Sequence, residues 1–320
     1  MAQYIVRRIL YLFPVLFVVS LLTFVLMRVV PGDVAQLVLG NSATPEEVEA
    51  FEEENGLNDP LVDWKPPFGQ YGEWVGGLLH GDLGNSYYQN SPVRDELAHR
   101  LPVTIQLMIM ATIVLVVLAI PAGVIAGVRP NTPLDFVTRT TAVFGLSIPG
   151  FWLGTLLILL PSIWFGWTPP PGRVALLDDP VKNMQQFFLP ALALGIPPAA
   201  AVMRLTRSSV LEVLRADYVR TAWSKGLRER TVVWRHVLKN SLIPVVTIIG
   251  LQVGALLGGT VIIEKIFTLP GIGLFTFDSI FRRDYLGVQA IVMLMSVVYV
   301  FVNLAIDVTY VWFDPRIRYS

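Results

Sequence analysis

Cysteine is absent from the 320 residues. That excludes disulfides, thiolate metal sites and cysteine nucleophiles. Histidine is scarce: His80, His99 and His236 are scattered, and none falls in a ligand-spaced cluster. Charge is scarce too. Asp, Glu, Lys and Arg make up 15% of the chain, against about 25% in an ordinary soluble domain. Lys plus Arg and Asp plus Glu number 24 each, so bulk charge gives no ground for a nucleic-acid partner. Ten-residue alternating strand patterns are missing, which leaves helices as the spanning form. There is no GxxxxGK(S/T) phosphate-cradling loop, so the chain is not itself an ATPase of that type. HExxH is missing, and no serine or aspartate pair stands at active-site spacing, which argues against an intramembrane enzyme.

What is present is apolar: 54% of the residues. Six stretches are long enough to approach the roughly 20 residues a membrane helix needs. They run from about Ile9 to Val30, Val103 to Val128, Thr140 to Phe165, Phe188 to Met203, Leu242 to Ile263 and Val288 to Phe313. The expectation is an all-α membrane protein with six transmembrane helices. Pro149, Pro161, Pro190, Pro197 and Pro198 predict kinks in the third and fourth. Arg7 and Arg8 before an apolar run are signal-peptide-like. The run is longer than an h-region and lacks a small-residue cleavage site, so it is read as a retained first helix.

Positive charge orients the spans. With the N-terminus in the cytoplasm, 15 of the 24 basic residues lie inside, nine of them between Arg204 and Lys239. The C-terminus is then cytoplasmic as well. Residues 31–101 become a sizeable extracytoplasmic segment, a cap between helices 1 and 2. Within it, "TPEEVEAFEEENGL" places Thr44 three residues before Glu47, the spacing of a capping box. The 166–187 stretch is turn-rich and predicted to be irregular.

The basic loop has more pattern than topology requires. Val210, Leu214, Tyr218 and Ala222 recur four residues apart, with Leu211 on the same face, which predicts an amphipathic helix. Gly226 follows Lys225, a usual left-handed helix stop. Glu229 to Asn240 reads as a second helix, with Pro244 just inside the next span. A helix–glycine–helix element suits docking of a cytoplasmic partner.

"DYVRTAWSKGL…RHVLKNSLIPV" resembles the cytoplasmic EAA loop of ABC-importer permeases. "MAQYIVRRILYLFPVLFVVSLLTFVLMRVVPGD", "GDLGNS…SPV…RLPVTIQL", "GLSIPGFWLG", "LPALALG…RLTRSSVLEVLRADYVRTA", "EKIFTLPGIG" and "DPRIRY" extend the resemblance over nearly the whole chain. Together they resemble the B-type permease subunit of the oligopeptide, dipeptide and nickel importers. One departure is that Arg220 and Thr221 stand where many permeases have Glu-Ala.

The resemblance implies a type I ABC importer permease fold in a bacterial or archaeal cytoplasmic membrane. It implies an N-terminal helix (1–30), the cap (31–101), a five-helix core (102–313) carrying a coupling loop (206–240), and a cytoplasmic tail (314–320). The implied partners are a second, C-type permease in a heterodimer, two ABC ATPase subunits, an extracytoplasmic solute-binding protein and membrane lipid. No cofactor is expected on this chain; ATP and Mg belong to the ATPases. The implied cargo is a peptide or a related small solute. Tyr218, Arg220, Ala222, Lys225, Gly226, Leu227 and Arg228 fall on the implied coupling loop, with Ala222 and Leu227 as packing contacts for the ATPase.

Other residues are read directly. Gly250, Gly254 and Gly258, four apart on the fifth span, suit close helix packing. Asp307 in the sixth span is an intramembrane carboxylate, with Arg316 and Arg318 as candidate ion-pair partners. Glu264, beside Lys265 at the outer edge of the fifth span, is a candidate outer-gate residue. An ion-coupled secondary transporter is the alternative function. It predicts mid-bilayer ionisable groups and an internal repeat; only Asp307 qualifies and no repeat is apparent.

Overall fold

The computed structural model describes the backbone of residues 2–29, 34–40, 43–63, 69–87, 89 and 91–313, with side chains for most residues from 10 to 306. Among these residues regular structure is helical, apart from an isolated bridge between Asn85 and Pro92. The helices are α1 (Ala2–Val29), α2 (Val34–Leu39), α3 (Pro45–Glu54), α4 (Gly69–Leu79), α5 (Val93–Val128), α6 (Pro133–Ser147) and α7 (Gly150–Phe165). Then come α8 (Pro180–Leu214), α9 (Asp217–Ser224), α10 (Glu229–Thr231), a π-helical turn (Val232–Val237), α11 (Leu238–Phe267), α12 (Ile272–Phe281) and α13 (Tyr285–Phe313).

Five of these are long and apolar enough to cross a membrane: α1, α5, α8, α11 with its preceding turns, and α13. The third expected span departs from expectation. The stretch from Thr140 to Phe165 is not one helix but α6 and α7, bent by 99°. The cause is local. Ile148 precedes Pro149, whose ring disfavours helical backbone on the residue before it. Ile148 accordingly sits at φ −87°, ψ 119°, in extended conformation.

The fourth span corrects the expectation in the other direction. The short, proline-rich stretch is the middle of a 35-residue helix, and Pro190, Pro197 and Pro198 lie inside it. Pro197 and Pro198 deprive the carbonyls of Ala193 and Leu194 of their helical donors. Packing carries the helix past them. This is the least apolar of the spans and the most buried. Its low apolarity follows: more of its surface meets neighbouring helices than in the other spans.

The chain forms two compact units. One is built on Val103–Pro270 with the last helix from Tyr299; the other on Val6–Pro102 with Gly271–Val298. In the first, α8 is central. Phe187, Ala191 and Leu194 pack with Leu107 and Ala111 of α5 and with Leu256, Ile263 and Phe267 of α11. A Cβ at Gly195 would lie 2.6 Å from the Ala111 carbonyl oxygen, so α8 and α5 touch at backbone level. Among lipid tails, such fit rather than water exclusion holds helices together.

In the second unit, Phe24 of α1 is almost wholly buried, edge-on to Tyr71 (5.1 Å) and stacked on Trp74 (6.2 Å) of α4. The Arg28 guanidinium lies 3.4 Å from the Phe24 ring centroid and donates twice to Gln70 Oε1, at 3.0 and 2.8 Å. Gln70 in turn donates to the carbonyls of Leu57 and Asp59. Thr44 and Glu47 form the expected capping box at the start of α3. The Asp284 carboxylate ties the 84–92 turn to the start of α13. It accepts from Ser86 Oγ (2.5 Å), the Tyr87 amide (3.3 Å) and the Gly287 amide (3.2 Å).

Candidate functional site

The basic loop is built in three steps. First, α8 stops at Leu214, and the chain turns at Arg215 and Ala216, the latter extended at φ −68°, ψ 144°. The amphipathic helix expected from Val210 through Ala222 is therefore split. Val210 and Leu214 belong to α8, Tyr218 and Ala222 to α9. The break shifts the buried register of α9 to Val219 and Ala222 and turns Tyr218 outward. Tyr218 keeps one tie to the chain: its hydroxyl accepts from Asn240 Nδ2 at 3.1 Å.

Second, α9 ends in a Schellman turn. The Gly226 amide donates to the Trp223 carbonyl (2.9 Å) and the Leu227 amide to the Ala222 carbonyl (3.4 Å). Gly226 has φ +72°, where an L side chain is strained, and its surroundings within 4 Å are open. Backbone conformation, not crowding, is what calls for glycine here.

Third, the chain returns through α10 and a π-helical turn, Val232–Val237, into α11. A π turn inside an α-helix is rare and tends to mark functional positions. Val210, Val219, Ala222, Val232 and Val237 form a closed apolar cluster under α9. Ala222 is thus 5% exposed and faces inward, because the register of α9 is set by Val219. The outer face carries Tyr218, Trp223, Leu227 and Trp234, all exposed, beside the exposed Arg220, Lys225 and Arg228. Arg220 lies 3.5 Å from Asp217, an exposed pair worth under about 1 kcal/mol. The result is a rigidly seated platform with an aromatic and basic outer surface.

A buried ion pair adjoins this platform. Arg207 of α8, one turn before Val210, donates through Nε and Nη2 to Asp135 at 2.5 and 2.8 Å. The Asp135 side chain has no exposure, and Arg139 approaches it at 3.5 Å. The Asn131 amide also donates to it, at 2.9 Å. The pair fastens the first turn of α6 to α8. Sequence reasoning did not single it out. Asp135 stands out as an acid on a basic side, but nothing local names its partner.

The remaining candidates separate. Gly250 packs against Ile306 and Gly254 against Tyr299, both on α13, whereas a Cβ at Gly258 would meet open space. Glu264 is wholly buried and accepts from Thr104 Oγ1 of α5 at 2.7 Å. Two further polar side chains, Asn183 and Gln186, are almost fully buried at the start of α8. Asn183 donates to the Val174 carbonyl at 2.7 Å, and Gln186 donates to the carbonyls of Pro170 and Gly172, anchoring the irregular segment before α8. Asp307 lies on α13, but its side chain and the tail with Arg316 and Arg318 are outside the described residues.

Comparison with known proteins places this geometry. Residues 119–319 match the family described as binding-protein-dependent transport system inner membrane component, and residues 1–108 match its N-terminal counterpart. The oligopeptide transport system permease protein AppB of Bacillus subtilis (strain 168) is 39% identical over 322 residues, covering both chains completely. The dipeptide transport system permease protein DppB of Alkalihalophilus pseudofirmus is 37% identical, and the glutathione transport system permease protein GsiC of Escherichia coli O6:H1 40%, again over both full chains. Among solved structures, the MetNI methionine ABC transporter in an inward-facing conformation aligns at TM-score 0.55 and 16% identity, covering 68% of this chain and 96% of that one. An amino acid ABC transporter aligns at TM-score 0.51 and 14% identity, covering 76% and 98%. At such identities these two show a shared fold. The ion-coupled reading finds no support in any of these likenesses. The chain belongs to the inner-membrane components of binding-protein-dependent transport systems, and is a multi-pass permease subunit of an ABC importer.

Proposed function

We propose that this chain forms half of the translocation pathway of an ATP-driven importer of peptides. The relatives that match it end to end carry dipeptide, oligopeptide and glutathione transport in their names, and all three cargoes are peptides. The other half is a C-type permease, in a heterodimer. Two ATPase subunits bind ATP and Mg and supply the energy; a solute-binding protein delivers cargo on the extracytoplasmic side, where residues 31–101 form a cap. Both termini are placed in the cytoplasm, the orientation that the bias of basic residues favours.

The observation that carries this reading is α9 and its Schellman turn. A short helix is seated on a closed valine cluster, with aromatic and basic side chains turned outward. That arrangement suits gripping by a cytoplasmic subunit. Tyr218, Trp223, Leu227, Lys225 and Arg228 make the contact. Ala222 acts from beneath by seating the helix, and Gly226 shapes the turn. ATP-driven closure of the ATPases pushes α9; the valine cluster passes the push to α8, and Arg207–Asp135 passes it to α6 and the broken span. Glu264, buried on Thr104 at the other end of α11, belongs to the outer gate. Gly258 is left for the second permease.

The test is uptake. The chain, purified with its accompanying subunits and reconstituted in vesicles, is expected to import a labelled dipeptide when ATP and Mg are supplied on the ATPase side. Uptake on an ion gradient without ATP would sink the proposal.

A further inference from the structure

We propose that the second unit holds a glycerophospholipid in a groove between α1, α4, α5 and α13, with the lipid phosphate on Arg94. The groove has a volume of about 480 Å³. Its walls are apolar: Leu16 from α1, Leu97 and Leu101 from α5, and Met293 and Val297 from α13, with Leu79 of α4 exposed at the rim. Arg94 is the one charged residue among the lining side chains.

The layout of charge follows the shape of a lipid. Arg94 sits in the first turn of α5, in the charged run RDELAHR. The groove continues for seven residues, about 10 Å along the helix axis, to Leu101, where the long apolar run of α5 begins. Along α13 it extends over a similar length, from Ala290 to Val297. One end therefore offers a cation at the level of charged side chains; the other reaches hydrocarbon-like surface.

The state of Arg94 supports an anionic occupant. It is exposed, and no ion pair or side-chain hydrogen bond to it falls among the described residues. The two acids that follow it do not compete. Glu96 is taken by Arg100 at 2.8 Å. Asp95 points about 100° further round the helix. A guanidinium beside an apolar slot suits a phosphate ester bearing an acyl chain. Hydrocarbon is also at hand. α1, which forms one wall, presents Phe13, Phe17 and Leu22 more than half exposed, an apolar surface that suits lipid tails.

Energetics decide which part of the lipid matters. An acyl chain gains little by leaving other tails for the groove, because lipid tails are as apolar as leucine. The charge-assisted contact at Arg94 is what separates a held lipid from a passing one.

The experiment is native mass spectrometry. The full chain, with whatever subunits accompany it, is extracted in mild detergent and equilibrated with palmitoyl-oleoyl phosphatidylglycerol. The wild type is expected to keep a tightly held phospholipid under collisional activation. Arg94→Gln lowers that retention roughly tenfold, the loss expected for one charge-assisted hydrogen bond. Ala98→Trp, which fills the groove from its exposed wall, removes that adduct. Unfolding midpoints of both variants stay at the wild-type value. Equal retention in all three proteins would overturn the proposal. So would a cross-link from Ala98→Cys, the only thiol in a cysteine-free chain, to another polypeptide in the native membrane, which would put a protein segment in the groove.

Discussion

Arg207 closes on Asp135 through two parallel hydrogen bonds, at 2.5 and 2.8 Å, although 72 residues separate them in the chain. The carboxylate has no exposure, so its charge depends on this partner. Removing one member of a buried pair costs about 3–5 kcal/mol, because the other is left buried and uncompensated. Arg207→Leu is therefore expected to lower the thermal midpoint of the purified chain sharply, and Asp135→Leu comparably. The double variant should recover part of the loss. Additive losses in a double-mutant cycle would show that the two groups do not act as a pair.

Gly226 offers a cleaner separation of folding from coupling. Its φ of +72° strains an L side chain, yet space around it is open. Asparagine visits this region readily and β-branched residues do not. Gly226→Asn should retain transport. Gly226→Val should insert in the membrane normally but lose ATP-driven uptake while ATP hydrolysis continues. Equal uptake by the two variants, measured in the same vesicles, would contradict this.

The glycines spaced four apart on α11, Gly250, Gly254 and Gly258, should divide by neighbour. A Cβ at Gly250 collides with Ile306, whereas one at Gly258 meets open space. Gly250→Ala is expected to cost about 1–3 kcal/mol by overpacking. Gly258→Ala should leave the stability of the isolated chain unchanged and weaken assembly with the second permease. Thermal midpoints and co-purification yields read the two effects separately.

Burial raises the pKa of Asp284, more than its hydrogen bonds from Ser86, Gly287 and Tyr87 lower it. The folded state thus holds this proton at pH values where the unfolded chain has released it. Stability falls as pH rises from about 4, the unfolded carboxylate value, through the raised folded value, and is flat above it. Asp284→Asn should remove that slope from a pH series of unfolding midpoints. A slope unchanged in the variant would assign it to other groups.

The sequence made some of this legible and hid the rest for physical reasons. Apolar length revealed the spans, and Thr44 with Glu47 revealed a cap, because both signals are local. The positive φ of Gly226 was likewise foreseeable from the helix stop at Lys225. The break at Ile148 was signalled by Pro149 but read as a kink, since apolarity continues across it. The prolines of α8 hid its length: the helix runs from Pro180 to Leu214 through all three, because tertiary packing outweighs propensity. The outward turn of Tyr218 depends on a two-residue break after Leu214, which periodicity passes over. Asp135–Arg207 and Thr104–Glu264 are long-range pairs that no spacing rule reaches.

In the proposed assembly an ATPase subunit grips the outer face of α9 and its turn. The absence of cysteine makes a single introduced thiol unambiguous. Leu227→Cys is exposed at the turn, whereas Ala222→Cys is seated beneath it. In native membranes a short bifunctional maleimide should link Leu227→Cys to an ABC ATPase and leave Ala222→Cys unlinked. The Leu227→Cys link should also change in yield when ATP is added. A Leu227→Cys thiol that reacts freely with soluble maleimide and never joins an ATPase would contradict docking at this face.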